Sequence, residues 1–176
     1  MIEVPEILID EAAIAGKVRE LAGRISRDYA GKELVLACIL KGAAVFTADL
    51  MRGITIPVSV EFLQAASYGA STTSSRDIII KKDIDSDIAG KHVLLVDTII
   101  DTGETMAYLL KKFADRRPAS LRAAALLDKR CRRSVYVPIA YIGFEIPDKF
   151  VVGYGMDYGE RYRNLPAIAE LKTVLG

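Results

Sequence analysis

The chain has 176 residues, 51% of them hydrophobic and 27% charged, which is far from the composition of a disordered polymer and long enough for one self-supporting core. Lysine plus arginine number 24 against 23 acidic residues, so a net charge of +1 gives no drive toward nucleic acid or an anionic membrane, and any anion site must be local. Two cysteines, Cys38 and Cys131, with no second thiol or histidine near either in sequence, argue against a zinc site or a disulfide framework and fit a reducing compartment. The opening MIEVPEILIDE lacks the basic start and apolar stretch of a signal peptide, and no apolar run reaches membrane-spanning length, so a cytoplasmic protein is expected.

The segment from Asp10 to Ala30 carries Ile14, Val18, Leu21, Ile25 and Tyr29 at steps of four, three, four and four, one face of a helix. Asp10 is placed to cap its start and Gly31 to end it. The continuous apolar run Leu34 to Leu40, cut off by Lys41-Gly42 and followed by a helical pattern from Ala43 to Arg52, predicts a parallel strand covered on both faces. The alternation of Val58 to Phe62 predicts a half-exposed strand, with Ile78 to Ile80 as its pairing partner. Between them, Ser67 to Arg76 is rich in serine and threonine and unable to bury itself; it is a surface hairpin loop or a lid over a ligand. Val93 to Val96 repeats the strand pattern, then a polar turn through Gly103 leads into a helix from Glu104 to Arg117 with Met106, Leu109, Leu110 and Phe113 on one side. A further apolar stretch runs from Leu121 to Leu127.

Two strand–turn–helix units imply an α/β fold, a central, mainly parallel sheet flanked by helices. With no internal repeat and no linker rich in Pro or Gly, residues 1–176 are expected to form a single domain, one core with a small hood lobe from the two chain ends.

The strongest chemical signal is the stretch Val93 to Thr105, an apolar strand entering a turn with two carboxylates, three threonines and a glycine before a helix. A turn at the carboxyl end of a parallel strand lies in the usual ligand crevice, and the following helix start offers unpaired N–H groups to a phosphate. Thr102 and Thr105 add hydroxyl donors, and Gly103 admits the anion close to the backbone. Asp97 and Asp101, which would repel phosphate, are left for sugar hydroxyls, a divalent cation or a base proton. The same residues also serve as ordinary helix caps. No Gly-Lys-Ser/Thr follows, so this is not a P-loop, and the dinucleotide glycine triplet is absent.

This turn resembles the phosphoribosyl-diphosphate motif of type I phosphoribosyltransferases, and the text from Leu36 to Leu165 is similar to their hypoxanthine-guanine branch. The similarity rests on Leu40-Lys41-Gly42, Ser67-Tyr68-Gly69, Lys82-Asp83, Ile99 to Gly103, Asp128-Lys129, Arg133-Ser134, Gly143 to Tyr154, Asp157-Tyr158 and Tyr162 to Leu165. The resemblance implies transfer of 5-phosphoribosyl from its 1-diphosphate to hypoxanthine or guanine, giving IMP or GMP and pyrophosphate, in purine salvage. It also implies roles for particular residues: Asp101 as general base at purine N7, the turn Thr102-Gly103-Glu104-Thr105 as 5′-phosphate cradle, and Lys129 as donor to the 6-oxygen. Phe150 would stack on the base, and the backbone near Val151 and Asp157 would face its 2-position. Lys41 and Gly42, after a cis peptide from Leu40, and Arg163 would hold pyrophosphate, while Ser67 and Tyr68 form the tip of a catalytic lid. Asp157 and Asp97 would contact Mg²⁺, and a dimer or tetramer is implied. Taken without the family, Phe150 reads as a core aromatic, and Lys129 and Arg163 as solvated charges.

One position departs from the pattern. Where the family has Glu-Asp to hold the ribose hydroxyls, this chain has Asp97-Thr98, a loss of charge worth about 1–2 kcal/mol in ribose binding. That change also admits a non-catalytic nucleotide- or RNA-binding regulator, and a xanthine-preferring transferase is a further alternative. His92, the sole histidine, is expected at the surface, Arg116 and Arg117 at a helix end, and Lys129 to Arg133 either as a phosphate attractor or as a solvated loop.

Overall fold

The computed structural model describes residues 6–68 and 77–172. Six strands form the main sheet, in the order β4(Asp77–Lys82), β3(Val58–Tyr68), β2(Leu34–Leu40), β5(His92–Ile100), β6(Ser120–Asp128), β7(Tyr141–Glu145). All neighbours are parallel except β3 and β4. Two helices, α1(Glu11–Asp28) and α2(Ala44–Gly53), cover one face and α3(Glu104–Ala114) the other. The central strands are therefore apolar on both sides. On β5, Leu94 and Val96 pack with Leu21, Ile25, Phe46 and Leu50, while Val93 and Leu95 pack with Met106, Leu109 and Phe113. Each such side chain contributes roughly 1.5–3 kcal/mol on burial, and this double-sided core fixes where the strand ends point.

All five residues of the predicted α1 face are buried, and the Asp10 carboxylate accepts from the Ala13 amide at 2.7 Å. The helix stops at Asp28, so Gly31 (φ 73°) turns the chain beyond it rather than closing it. Three further expectations are corrected. β3 runs on past Phe62, and it is Gln64 to Tyr68 that pair with β4. Arg116 and Arg117 lie past the end of α3, Arg116 bonding Asp83 just after β4, while Lys111 and Lys112 occupy the last turn. His92 is half-buried, bonded through Nδ1 to Ser120 Oγ at 2.7 Å and edge-on to Tyr29.

A second, three-stranded antiparallel sheet joins the two ends of the chain: β1(Glu6–Ile9) pairs with β9(Ile168–Glu170), which pairs with β8(Val151–Val152). This is the hood expected from the sequence.

Candidate active site

The carboxyl ends of β2, β5 and β6 and the segment after β8 carry the polar residues singled out from the sequence. At the end of β5 the chain leaves the sheet at Ile100, bends through Asp101 and Thr102, and enters α3 at Gly103. Gly103 has φ 87°, a left-handed conformation that a side chain would strain, and an added Cβ would lie 3.0 Å from Val137 Cγ1 and 3.2 Å from Arg133 Nη1. Glu104 N donates to Thr102 Oγ1 at a long 3.4 Å. The first amides of any helix lack intrahelical acceptors, so this turn is chemically an anion cradle.

The loop after β6 is laced onto that turn. Lys129 N donates to Ile100 O (2.9 Å), Ser134 N to Thr102 O (3.0 Å), and Ser134 Oγ to Glu104 Oε1 (2.9 Å). Lys129, only 7% exposed, places its ammonium 3.9 Å from Asp148 Oδ1. Asp148 Oδ2 lies 3.3 Å from Arg132 Nη1, and Arg132 Nε donates to Asp101 Oδ1 at 2.7 Å. Asp101 and Lys129 are thus joined by a continuous chain of charged contacts. Phe150 follows two residues after Asp148, 52% exposed, its ring edge-on to Tyr158 with centroids 5.7 Å apart.

On the other side, Leu40 and Lys41 are linked by a cis peptide, and Lys41 Nζ meets both Glu160 carboxylate oxygens at 3.1 Å. Arg163 donates to Gly155 O (2.8 Å) and pairs with Asp157 (2.8 Å) and Glu160 (3.3 Å). Gly155, at φ 94°, sits against Gly42: a Cβ there would lie 2.1 Å from the Gly42 carbonyl oxygen. The Lys41-Gly42 turn and the Asp157 to Arg163 loop form one cationic and anionic lattice.

A family model for the phosphoribosyl transferase domain matches residues 6–159. The chain belongs to the phosphoribosyl transferase family. It is 45% identical over 168 residues to a hypoxanthine phosphoribosyltransferase of Salmonella typhimurium, covering 94% of each chain. It is 43% identical over 175 residues to a hypoxanthine-guanine phosphoribosyltransferase of Mycobacterium avium, covering 96% of this chain and 86% of that one. A crystal structure of a hypoxanthine-guanine phosphoribosyltransferase from Bacillus anthracis superimposes with a TM-score of 0.93 at 45% identity, over 97% of this chain and 100% of that one.

Within this phosphoribosyl transferase several single-residue expectations change. Phe150 is not a core aromatic; its half-exposed ring is available to a ligand, while its neighbour Val151 is buried in β8. Neither Lys129 nor Arg163 is a solvated charge: Arg163 is half-buried, with Nε enclosed and unpartnered among the described residues. Asp97 is not in the turn but within β5, its carboxylate accepting the Thr98 amide at 2.7 Å; burial pushes its pKa up to about 6. Thr98 is 1% exposed, and its Oγ1, buried beside Gly42, has no partner among the described residues, so the hydroxyl is not presented to a ribose. Thr105, in the first turn of α3, is half-buried. The basic run Lys129 to Arg133 is not a free loop, because Arg133 holds Asp128 through two nitrogens (2.8 and 3.2 Å) and Arg130 lies 3.9 Å from Glu145. The lid expectation falls on Ser67, Tyr68 and 69–76: the backbone of the first two closes β3, while their side chains and 69–76 lie outside the described residues.

The resemblance to the family implies Mg²⁺. No group of three or more His, Cys, Asp and Glu that could hold a metal occurs among the described residues. Mg²⁺ needs no such cage when it keeps its waters and arrives with substrate phosphates, being held by one or two carboxylates. Asp157, half-buried beside the Lys41-Gly42 lattice, fits that donor set; Asp97, whose neutral form is favoured by burial, is the weaker candidate.

Sequence reasoning assigned no role of their own to Arg132, which lies in the basic run Lys129 to Arg133, to Asp148, within the stretch Gly143 to Tyr154, or to Glu160. Each pairs with a predicted residue from a distant position or another loop, and nothing in local spacing marks them. A groove of about 750 Å³ runs past Leu110, Leu121 and Tyr136 and does not include Asp101, Lys129 or Phe150.

Proposed function

We propose that this protein is a purine-salvage enzyme, residues 1–176 acting as one phosphoribosyltransferase unit. It transfers the 5-phosphoribosyl group from 5-phosphoribosyl 1-diphosphate to hypoxanthine or guanine. The purine N9 attacks ribose C1, the C1–O bond to diphosphate breaks, and the N7 proton passes to Asp101; IMP or GMP and pyrophosphate leave. The single observation carrying this reading is Lys129, a buried ammonium linked through Asp148 and Arg132 to Asp101. An ammonium only donates, so it favours a 6-oxo over a 6-amino purine.

The turn from Thr102 to Thr105 holds the 5′-phosphate, Phe150 and the Val151 backbone border the base, and Lys41, Gly42 and Arg163 bind the diphosphate. Thr98 having withdrawn into the core, Asp97 alone meets the ribose hydroxyls. Ser67 and Tyr68 close over the reacting atoms. Mg²⁺ held by Asp157, with Asp97 secondary, would neutralise charge on the leaving diphosphate. We also place the enzyme in the cytoplasm as a dimer or tetramer.

The altered Asp97-Thr98 pair is the one feature favouring a non-catalytic nucleotide or RNA binder. Incubation with Mg²⁺, phosphoribosyl diphosphate and hypoxanthine, guanine, xanthine or adenine, with detection of pyrophosphate and nucleotide, separates the readings. Turnover is expected with hypoxanthine or guanine. Turnover with xanthine alone selects a different base, and none with any base leaves only the binder.

A further inference from the structure

The loop after β6 carries a cation whose position the proposed chemistry does not by itself require. Lys129 is followed at once by a short 3-10 turn, Arg130–Arg132, closed by Arg132 N donating to Lys129 O at 2.9 Å. That turn brings Arg132 back over Asp101, where Nε donates to Oδ1 at 2.7 Å; no hydrogen bond holds Oδ2 among the described residues. The guanidinium is fixed from its far side by Asp148, 3.3 Å from Nη1. Asp101 and Arg132 are each nearly half exposed, 45% and 43% by side chain, so the pair does not serve the core.

We propose that Arg132 is a positioning residue for Asp101: it fixes one carboxylate oxygen so that the other faces the purine N7, with Asp148 as the second anchor of the guanidinium. The inference rests on the reading of Asp101 as general base. Through Asp148 the same device connects to the base-recognising ammonium, since Asp148 lies 3.9 Å from Lys129 Nζ. Fixing the direction of the carboxylate aids transfer, because proton-transfer geometry loses about a hundredfold for an ångström of misplacement.

The test compares wild type, Arg132→Ala, Arg132→Lys and Asp148→Asn by steady-state kinetics with hypoxanthine and phosphoribosyl diphosphate, with melting temperature recorded for each. For Arg132→Ala the expected result is a fall in kcat of about tenfold or more, with KM for phosphoribosyl diphosphate unchanged. Added guanidinium ion is expected to restore part of that loss, Arg132→Lys to retain part of kcat, and Asp148→Asn to show a smaller loss in the same direction. A wild-type or raised kcat in Arg132→Ala overturns the inference, as does a loss that guanidinium and lysine both fail to relieve. Were Arg132→Ala unfolded, Arg132→Lys and Asp148→Asn decide alone, and unchanged kcat in both overturns it. A wild type that turns over no base overturns the proposed function instead.

Discussion

Replacing Gly155 by alanine tests the diphosphate side of the site. The residue stands at φ 94°, and its new Cβ would lie 2.1 Å from the Gly42 carbonyl oxygen, about 1.3 Å short of ordinary contact. The backbone conformation costs about 1–3 kcal/mol for a residue with a side chain, and relieving the overlap adds roughly 1–3 kcal/mol. A destabilisation of about 2–6 kcal/mol follows, which at this chain length lowers Tm by about 4–24 °C. The functional consequence is more selective. Gly155 also accepts from Arg163 Nη1 at 2.8 Å and donates to Arg163 O at 3.0 Å, so the clash pushes apart Lys41-Gly42 and Arg163 together. KM for phosphoribosyl diphosphate is expected to rise about tenfold or more, and further than KM for hypoxanthine, because Lys129, on the loop after β6, takes no part in that lattice. Pyrophosphate release at saturating hypoxanthine measures the first and the reciprocal titration the second. A lowered Tm with an unchanged KM for phosphoribosyl diphosphate refutes the assignment of this lattice to the diphosphate.

Lys129→Gln removes a charge-assisted donor worth about 1.5–3 kcal/mol, so kcat/KM for hypoxanthine falls about 10- to 100-fold, while discrimination against adenine weakens; unchanged discrimination in paired assays speaks against the ammonium as selector. Thr98→Val replaces a buried unpartnered hydroxyl by a methyl, so thermal stability holds or rises and KM for phosphoribosyl diphosphate does not move; a raised KM shows that the hydroxyl reaches the ribose after all. Burial lifts Asp97 from 3.8 to about 6, so the folded protein holds a proton that the unfolded chain releases over that window. Stability is therefore lost as pH rises from about 4 through about 6 and the penalty is constant above. The stability of Asp97→Asn relative to wild type, from urea midpoints, grows by on the order of 2 kcal/mol between about pH 4 and pH 7.5, whereas parallel pH curves count against a buried neutral form.

The strands and helices were legible where a pattern is enforced by burial on known faces. Leu34 to Leu40 is a strand with those limits because both faces are covered, and the steps of three and four in α1 all point into one core. Legibility failed where a second element decides. Asp97 looks like a turn residue because polar residues follow Val96, yet pairing of Ile99 and Ile100 with β6 keeps the chain in the sheet beyond it. Phe150 passes for core on periodicity because short hood strands have too few residues to show which face is wet. The turn proposed to cradle phosphate, Asp101 to Thr105, was legible because all of it is local. The pairings of Arg132, Asp148 and Glu160 were not legible, because a charge reveals its partner only after the loops are brought together.

The hood has a bearing on how the chain matures. Leu171 N donates to Phe150 O at 2.9 Å, and Lys149 pairs with Glu170 at 2.6 Å, so both flanks of the aromatic wall are tied to β9, itself paired with β1. A ribosome releasing residues in order exposes the proposed phosphate cradle early, but the segment carrying Phe150 is tied down only when residues 168–171 emerge and join residues 6–9. On the proposed function, trimming a few residues from that end would leave a protein able to grip phosphate yet blind to its base.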